Sequence, residues 1–132
     1  MFKISSRKAI QSLILQNYQR KILNIKQYYK SNKYLNHKQK ERLDYFIDRS
    51  IKFCQNMKKI NYDRTIFVKD STTRVVNKSQ YKVYDQLFKM LVDLSREVTA
   101  DNALSYDNKK ELMNNISYLV GYVRGKKNTV VK

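Results

Sequence analysis

The chain contains no proline and only two glycines, Gly121 and Gly125, in 132 residues. Proline removes a backbone donor and clashes inside a helix, and glycine gives up the most backbone freedom on ordering. A chain nearly free of both, rich in Lys, Leu, Gln, Asn and Ile, has few places where a helix must stop. The sequence therefore predicts an all-α protein, and its apolar residues fall at the matching period.

Ile10, Ile14, Tyr18, Ile22, Ile25 and Tyr29 recur in steps of three and four, which predicts a first helix over about residues 6–34. Leu13, Leu15 and Leu23 widen its apolar face. The run SNKYLN then reads as a loop, with Asn36 as N-cap and Gln39 three positions later as its capping-box partner. A second helix to about residue 60 carries Leu43, Phe46, Ile47, Ile51, Cys54 and Met57 on one face. Lys38, Arg42, Arg49, Lys52 and Lys59 lie on the other.

Residues 61–78, NYDRTIFVKDSTTRVVNK, break the pattern with β-branched residues. TIFV and TRVV either side of KDST suit a small β-hairpin, while an extended loop or a further helical turn fits equally well. A third helix over about residues 79–99 places Tyr81, Tyr84, Phe88, Leu91, Leu94 and Val98 inside. TADNALSYDN is a turn offering Asp101 and Ser105 as caps, and a fourth helix follows with Leu112, Ile116, Leu119 and Val123 in register. It is expected to end at 124–127, with Gly125 as C-cap and 128–132 as a frayed tail. Four amphipathic helices with mostly short connections fold most simply as one domain over 1–132, an antiparallel four-helix bundle with a hairpin or irregular insert at 61–78.

Charge sets the expected function. The formal net charge is +17. Residues 1–60 carry fifteen Lys/Arg against three acids, and residues 61–132 thirteen against eight. The first forty residues hold ten cations and no acid, Glu41 being the first carboxylate. Such an excess opposes compaction by self-repulsion and points to a polyanionic partner.

Catalytic chemistry is poorly provided for. His37 is the sole histidine and Cys54 the sole cysteine, so neither a Ser-His-Asp nor a Cys-His arrangement can be assembled from sequence neighbours, and no zinc set closes. No internal disulfide is possible, and a reducing, cytoplasmic setting is the default. Asp44 and Asp48, four apart, suit ion pairs with Arg42, Arg49 and Lys52 of their own helix better than a divalent ion. There is no phosphate-binding glycine loop. The reading is of a non-enzymatic protein without cofactor or metal.

No apolar run approaches the roughly 20 residues of a membrane span. The acid-free, Ser- and Arg-containing start has the look of a mitochondrial presequence, but the same pattern continues into the first helix. A basic amphipathic first helix also suits an anionic lipid surface, yet its apolar face is needed by the other three helices, so no membrane partner is expected.

Lys and Arg neutralise phosphates and release counterions. The expected nucleic-acid contacts are Arg7, Lys8, Arg20, Lys21, Lys26, Lys30, Lys33, Lys38, Lys40, Arg49 and Lys52. Tyr28 and Tyr29 are about 100° apart on a helix, so one of them, or Tyr34, is left among lysines to stack on an unpaired base. The competing expectation is that these rings fill the wet edge of the core. No cluster suits base reading in a major groove.

The run LFKMLVDLSREVTADNALSYDNKKELMNNISYLVGYVRGKK resembles the last two helices of a family of small four-helix-bundle proteins. That family includes the accessory variability protein of diversity-generating retroelements and the proteins of ribosomal-RNA intervening sequences. Its fourth helix ends in a Leu-Gly-Gly-Trp-Ile-like segment and then basic residues. The matching positions here are Leu119, Val120, Gly121, Tyr122 and Val123, followed by Arg124, Lys126 and Lys127. RLDYFIDRSIKFCQNM is similar to the family's second helix, so the resemblance spans about residues 40–127. It implies a basic bundle that assembles into a ring-like homo-oligomer, binds a reverse transcriptase and its template RNA, and does no chemistry itself. RNA is favoured over DNA only through this resemblance. The expected function is an RNA-binding accessory protein of a ribonucleoprotein. The alternative is a protein–protein module or inhibitor that docks an acidic face of a larger machine.

Overall fold

Two helices begin on the same four-residue pattern, Asn-x-x-Gln. In the computed structural model, which describes residues 2–57 and 75–130, four α-helices form: α1 (Phe2–Lys30), α2 (His37–Asn56), α3 (Lys78–Ala100) and α4 (Tyr106–Lys127). Asn36 and Asn77 each accept the amide of the Gln three residues on, and each Gln carbonyl accepts the Asn amide in return. Both expectations at residue 36 hold, and Asn77–Gln80 is a second box of the same kind. Ser105 caps α4 through the amide of Asn108.

The helices pack as a bundle in the cyclic order α1, α2, α4, α3, so α2 and α3 face each other across the diagonal. Lys26 meets Asp48 while Lys30 meets Asp44, which makes α1 and α2 antiparallel. Gln11 meets Ala103, Lys21 meets Glu97 and Tyr34 meets Gln80, which makes α1 and α3 antiparallel as well. Every neighbouring pair is thus antiparallel, but α2 and α3 run the same way. The antiparallel four-helix bundle is as expected, although its chain order is not up-down-up-down. The second connection is a crossover between opposite ends, a known variant of this architecture.

Leu15, Tyr18, Ile22, Ile25 and Tyr29 of α1 are buried, as are Leu43, Phe46, Ile47, Ile51 and Cys54 of α2. The α3 core includes Val83 and Leu87 beside Tyr84, Leu91, Leu94 and Val98, while Tyr81 and Phe88 are half-buried. Leu112, Ile116, Leu119 and Val123 line α4, joined by Tyr122. Ile10 and Leu13, at 52% and 64% exposure, are not core. Gln11 already lies level with the α3–α4 turn, so the first turns of α1 run past their neighbours.

Three expected boundaries move, the two ends of α1 and the end of α2, while α4 ends within the expected 124–127. The first helix starts at Phe2 and ends at Lys30. α2 stops at Asn56, where Met57 takes a left-handed conformation (φ 55°) and its amide bonds Phe53 O. α4 continues through Gly125 to Lys127, with Asn128 as its cap, so that glycine is helical and not a C-cap. Of the expected insert at 61–78, all but its last four residues lie outside the described residues. Val76 forms an isolated parallel bridge with Val130.

Candidate nucleic-acid interface

α2 and α3 point the same way, so both capping boxes sit at one end of the bundle. There Gln80 Nε2 donates to Gln39 Oε1 and to the carbonyl of Tyr34, both at 3.2 Å. These bonds tie the α1–α2 turn, the start of α2 and the start of α3 together. The residues just after α4 join them, because the Val76 amide donates to Thr129 O at 3.3 Å.

The local sequence makes this end basic. Lys38 and Lys40 flank the buried Gln39, and Lys78 and Lys82 flank the Gln80 turn. Lys33 precedes Tyr34, whose ring is 49% exposed, and its ammonium lies 5.4 Å from that ring's centre. Neither α2 nor α3 has an acid in its first turn. The N-terminus of a helix carries about half a positive charge, so cations placed there are unfavourable unless an anion joins them. His37 reaches Glu41 at 3.7 Å, and both are exposed. Lys126 is buried, with its ammonium 5.6 Å over the ring of Tyr122.

The expected contact residues separate into three groups. Lys33, Tyr34, Lys38 and Lys40 gather at the basic end. Lys21, Lys26 and Lys30 do not: each is engaged by a carboxylate of a neighbouring helix. Lys21 pairs with Glu97; Lys26 with Asp48 at 2.6 Å and Asp44 at 3.9 Å; Lys30 with Asp44 at 2.8 Å. The pairing expected for Asp44 and Asp48 is corrected accordingly, since both reach across to α1. The hydrogen bond it donates to Asp44 holds the Lys30 ammonium pKa above its ordinary value. The third group is dispersed. Arg7 and Lys8 lie on the projecting turns of α1, and Arg20 and Lys52 are exposed. Arg49 is half-buried against Tyr45, its guanidinium 4.6 Å from the ring centre and donating to the phenol oxygen at 2.9 Å.

Of the three tyrosines, Tyr34 is exposed, with the Lys33 ammonium near its ring. Tyr28 is half-buried. Tyr29 is fully buried, with its hydroxyl donating to Asp44 at 2.5 Å, so no ring face is left for a base to stack on. Burial first, then the bond to Asp44, pushes its phenol pKa far up. Lys78 and Lys82 were missed. Their signal was present, since NKSQ repeats the Asn-x-x-Gln pattern of the NHKQ that opens α2, but the charge excess is smaller in the C-terminal half.

No family model, no curated protein and no solved structure matches this chain. Among the described residues, no cluster of three His, Cys, Asp or Glu side chains is disposed to hold a metal ion, and no helix is long and apolar enough to cross a membrane.

Proposed function

We propose that this protein is a non-enzymatic nucleic-acid-binding subunit that grips phosphates with the basic end of its bundle. The observation that carries this is the convergence of Lys33, Lys38, Lys40, Lys78 and Lys82 around an exposed Tyr34, at the positive ends of two parallel helices. Among the described residues none of these five lysines has a carboxylate partner, in contrast with Lys21, Lys26 and Lys30. Single-stranded RNA is the ligand we favour, for two reasons. An open ring among lysines suits an unstacked base. The resemblance of the C-terminal half to the retroelement accessory bundles also favours an RNA, with a reverse transcriptase as the enzyme served.

Binding to single-stranded RNA, duplex RNA and duplex DNA across a salt series tests this. Log affinity should fall linearly with log salt, by about 0.7 per phosphate neutralised on a single strand. Lys38→Glu with Lys78→Glu should flatten that slope and weaken all three ligands. Tyr34→Ala should cost the single strand about tenfold and the duplexes little. No binding at low salt would end the proposal. Equal losses from Lys26→Glu would mean the surface is misplaced.

A further inference from the structure

The outer face between α3 and α4 holds an open groove of about 560 Å³. Its floor is apolar and low: Val92, Ser95, Met113, Ser117, Val120 and Gly121 line it. Ser95, Ser117 and Gly121 are small, and a methyl group added at Gly121 would meet nothing within 4 Å. Arg96 and Arg124 also line the groove, and none of the lining residues is acidic. Arg96 has no ion pair among the described residues. Arg124 holds its guanidinium 5.8 Å over the ring of Phe88. Lys109, bonded to the carbonyl of Thr99 at 3.1 Å, brings a further cation to the far end.

We infer that this groove docks an acidic amphipathic helix of a protein partner. The floor supplies the area for an apolar stripe, and small residues let a helix backbone approach closely. The two arginines fix the charge of the occupant. The Arg124 guanidinium lies over Phe88, and Arg96 is eight residues further along α3, a backbone rise of about 12 Å along the groove. Carboxylates seven or eight residues apart on a helix match that spacing, which gives the partner a pattern of acids flanking an apolar face. A second copy of this chain fits less well. Its exposed apolar segment at Ile10 and Leu13 carries Arg7 and Lys8, and would set like charges against Arg96 and Arg124. The groove lies away from the Tyr34 lysines, so nucleic acid and partner helix can be held together, and neither proposal depends on the other.

The probe is a fluorescein-labelled helical peptide of about five turns, with Leu on one face and Glu residues seven apart on its flanks. Its Glu→Gln twin is the control, and anisotropy reads the binding. The acidic peptide should bind the protein roughly tenfold more tightly than the twin. Gly121→Leu should plug the groove and abolish binding, with Ser117→Leu as a second plug should the first alter the circular dichroism melt. Arg96→Glu with Arg124→Glu should remove the preference for the acidic peptide and leave RNA affinity nearly unchanged. Equal binding of both peptides, or full affinity after either plug, overturns the inference. Two further outcomes reassign the surface. Self-association of the wild-type chain that Gly121→Leu abolishes would make the occupant a second copy. Loss of RNA affinity in the arginine variant, as large as in Lys38→Glu with Lys78→Glu, would make the groove part of the polyanion surface.

Discussion

The α1–α2 seam and the α3–α4 seam are both antiparallel helix pairs joined by a short turn, yet they treat charge in opposite ways. In the first, Asp44 receives the Tyr29 hydroxyl and the Lys30 ammonium with Lys26 nearby, and Asp48 takes Lys26. Cations there are consumed by the fold. Midway along the second, Arg96 and Arg124 border a groove with no acid in its lining. Towards the end of α4 that seam does close, where Lys127 meets Asp85 at 2.8 Å and lies 4.4 Å over the ring of Phe88. A net charge of +17 therefore does not mean a uniformly sticky surface. Among the described residues, carboxylates hold Lys21, Lys26 and Lys30 in the fold and leave Lys33, Lys38, Lys40, Lys78 and Lys82 without such a partner.

The sharpest test of that division is Asp44→Ala. It strands a buried Tyr29 hydroxyl and releases Lys30, while Lys26 keeps Asp48. The expected loss is about 2–3 kcal/mol in urea unfolding, because an unpartnered buried donor keeps its desolvation cost. Arg96→Ala, in the open seam, should change stability by no more than about 0.5 kcal/mol. Similar losses for the two would erase the contrast.

A second test uses Tyr18, which locks α1 to the α3–α4 turn. Its hydroxyl donates to Asp101 at 2.5 Å, and burial followed by that bond raises its phenol pKa. The same bond, offset in part by desolvation and aided by the amides of Ala103 and Leu104, holds the Asp101 carboxyl below its ordinary value. A depressed carboxyl pKa contributes stability above about pH 4, the unfolded value, and loses it as pH falls through the folded one. Tyr18→Phe should cost about 1–2 kcal/mol at neutral pH. It should also lessen the steepness of acid unfolding below pH 4. An unchanged acid limb would mean that Asp101 is held by the turn amides alone.

How much of this was legible beforehand follows from which interactions are local. The α2 cap was readable because Asn36 and Gln39 satisfy each other within four residues, and the α2 stripe was readable because its period is intrinsic to the helix. Ile10 misled because its periodicity is sound while the neighbours end before it. Periodicity describes a face and says nothing about whether a partner reaches it. Gly125 misled for a related reason: a glycine near a helix end reads as a cap, and nothing local records that Asn128 takes that place. Lys26 and Lys33 look alike in the sequence. Only the packing of α1 on α2 brings Asp48 to one of them. The groove was invisible because Ser95, Ser117 and Gly121 become one surface only once α3 and α4 are known to be neighbours.

Gly121→Ala makes the smallest change and bears directly on whether the groove is empty. Gly121 lies in the interior of α4, exposed, with room for a methyl group on every side. Alanine there reduces the freedom of the unfolded chain and should raise stability by about 0.5–1 kcal/mol. In the closed seam no comparable change exists, since α1 and α2 contain no glycine. Thermal unfolding of the isolated chain at several concentrations reads the effect. A gain independent of concentration fits a groove open in the free protein. A loss, growing with concentration, would mean that close backbone approach at Gly121 is already in use between copies, and that the second seam is closed by association where the first is closed by charge.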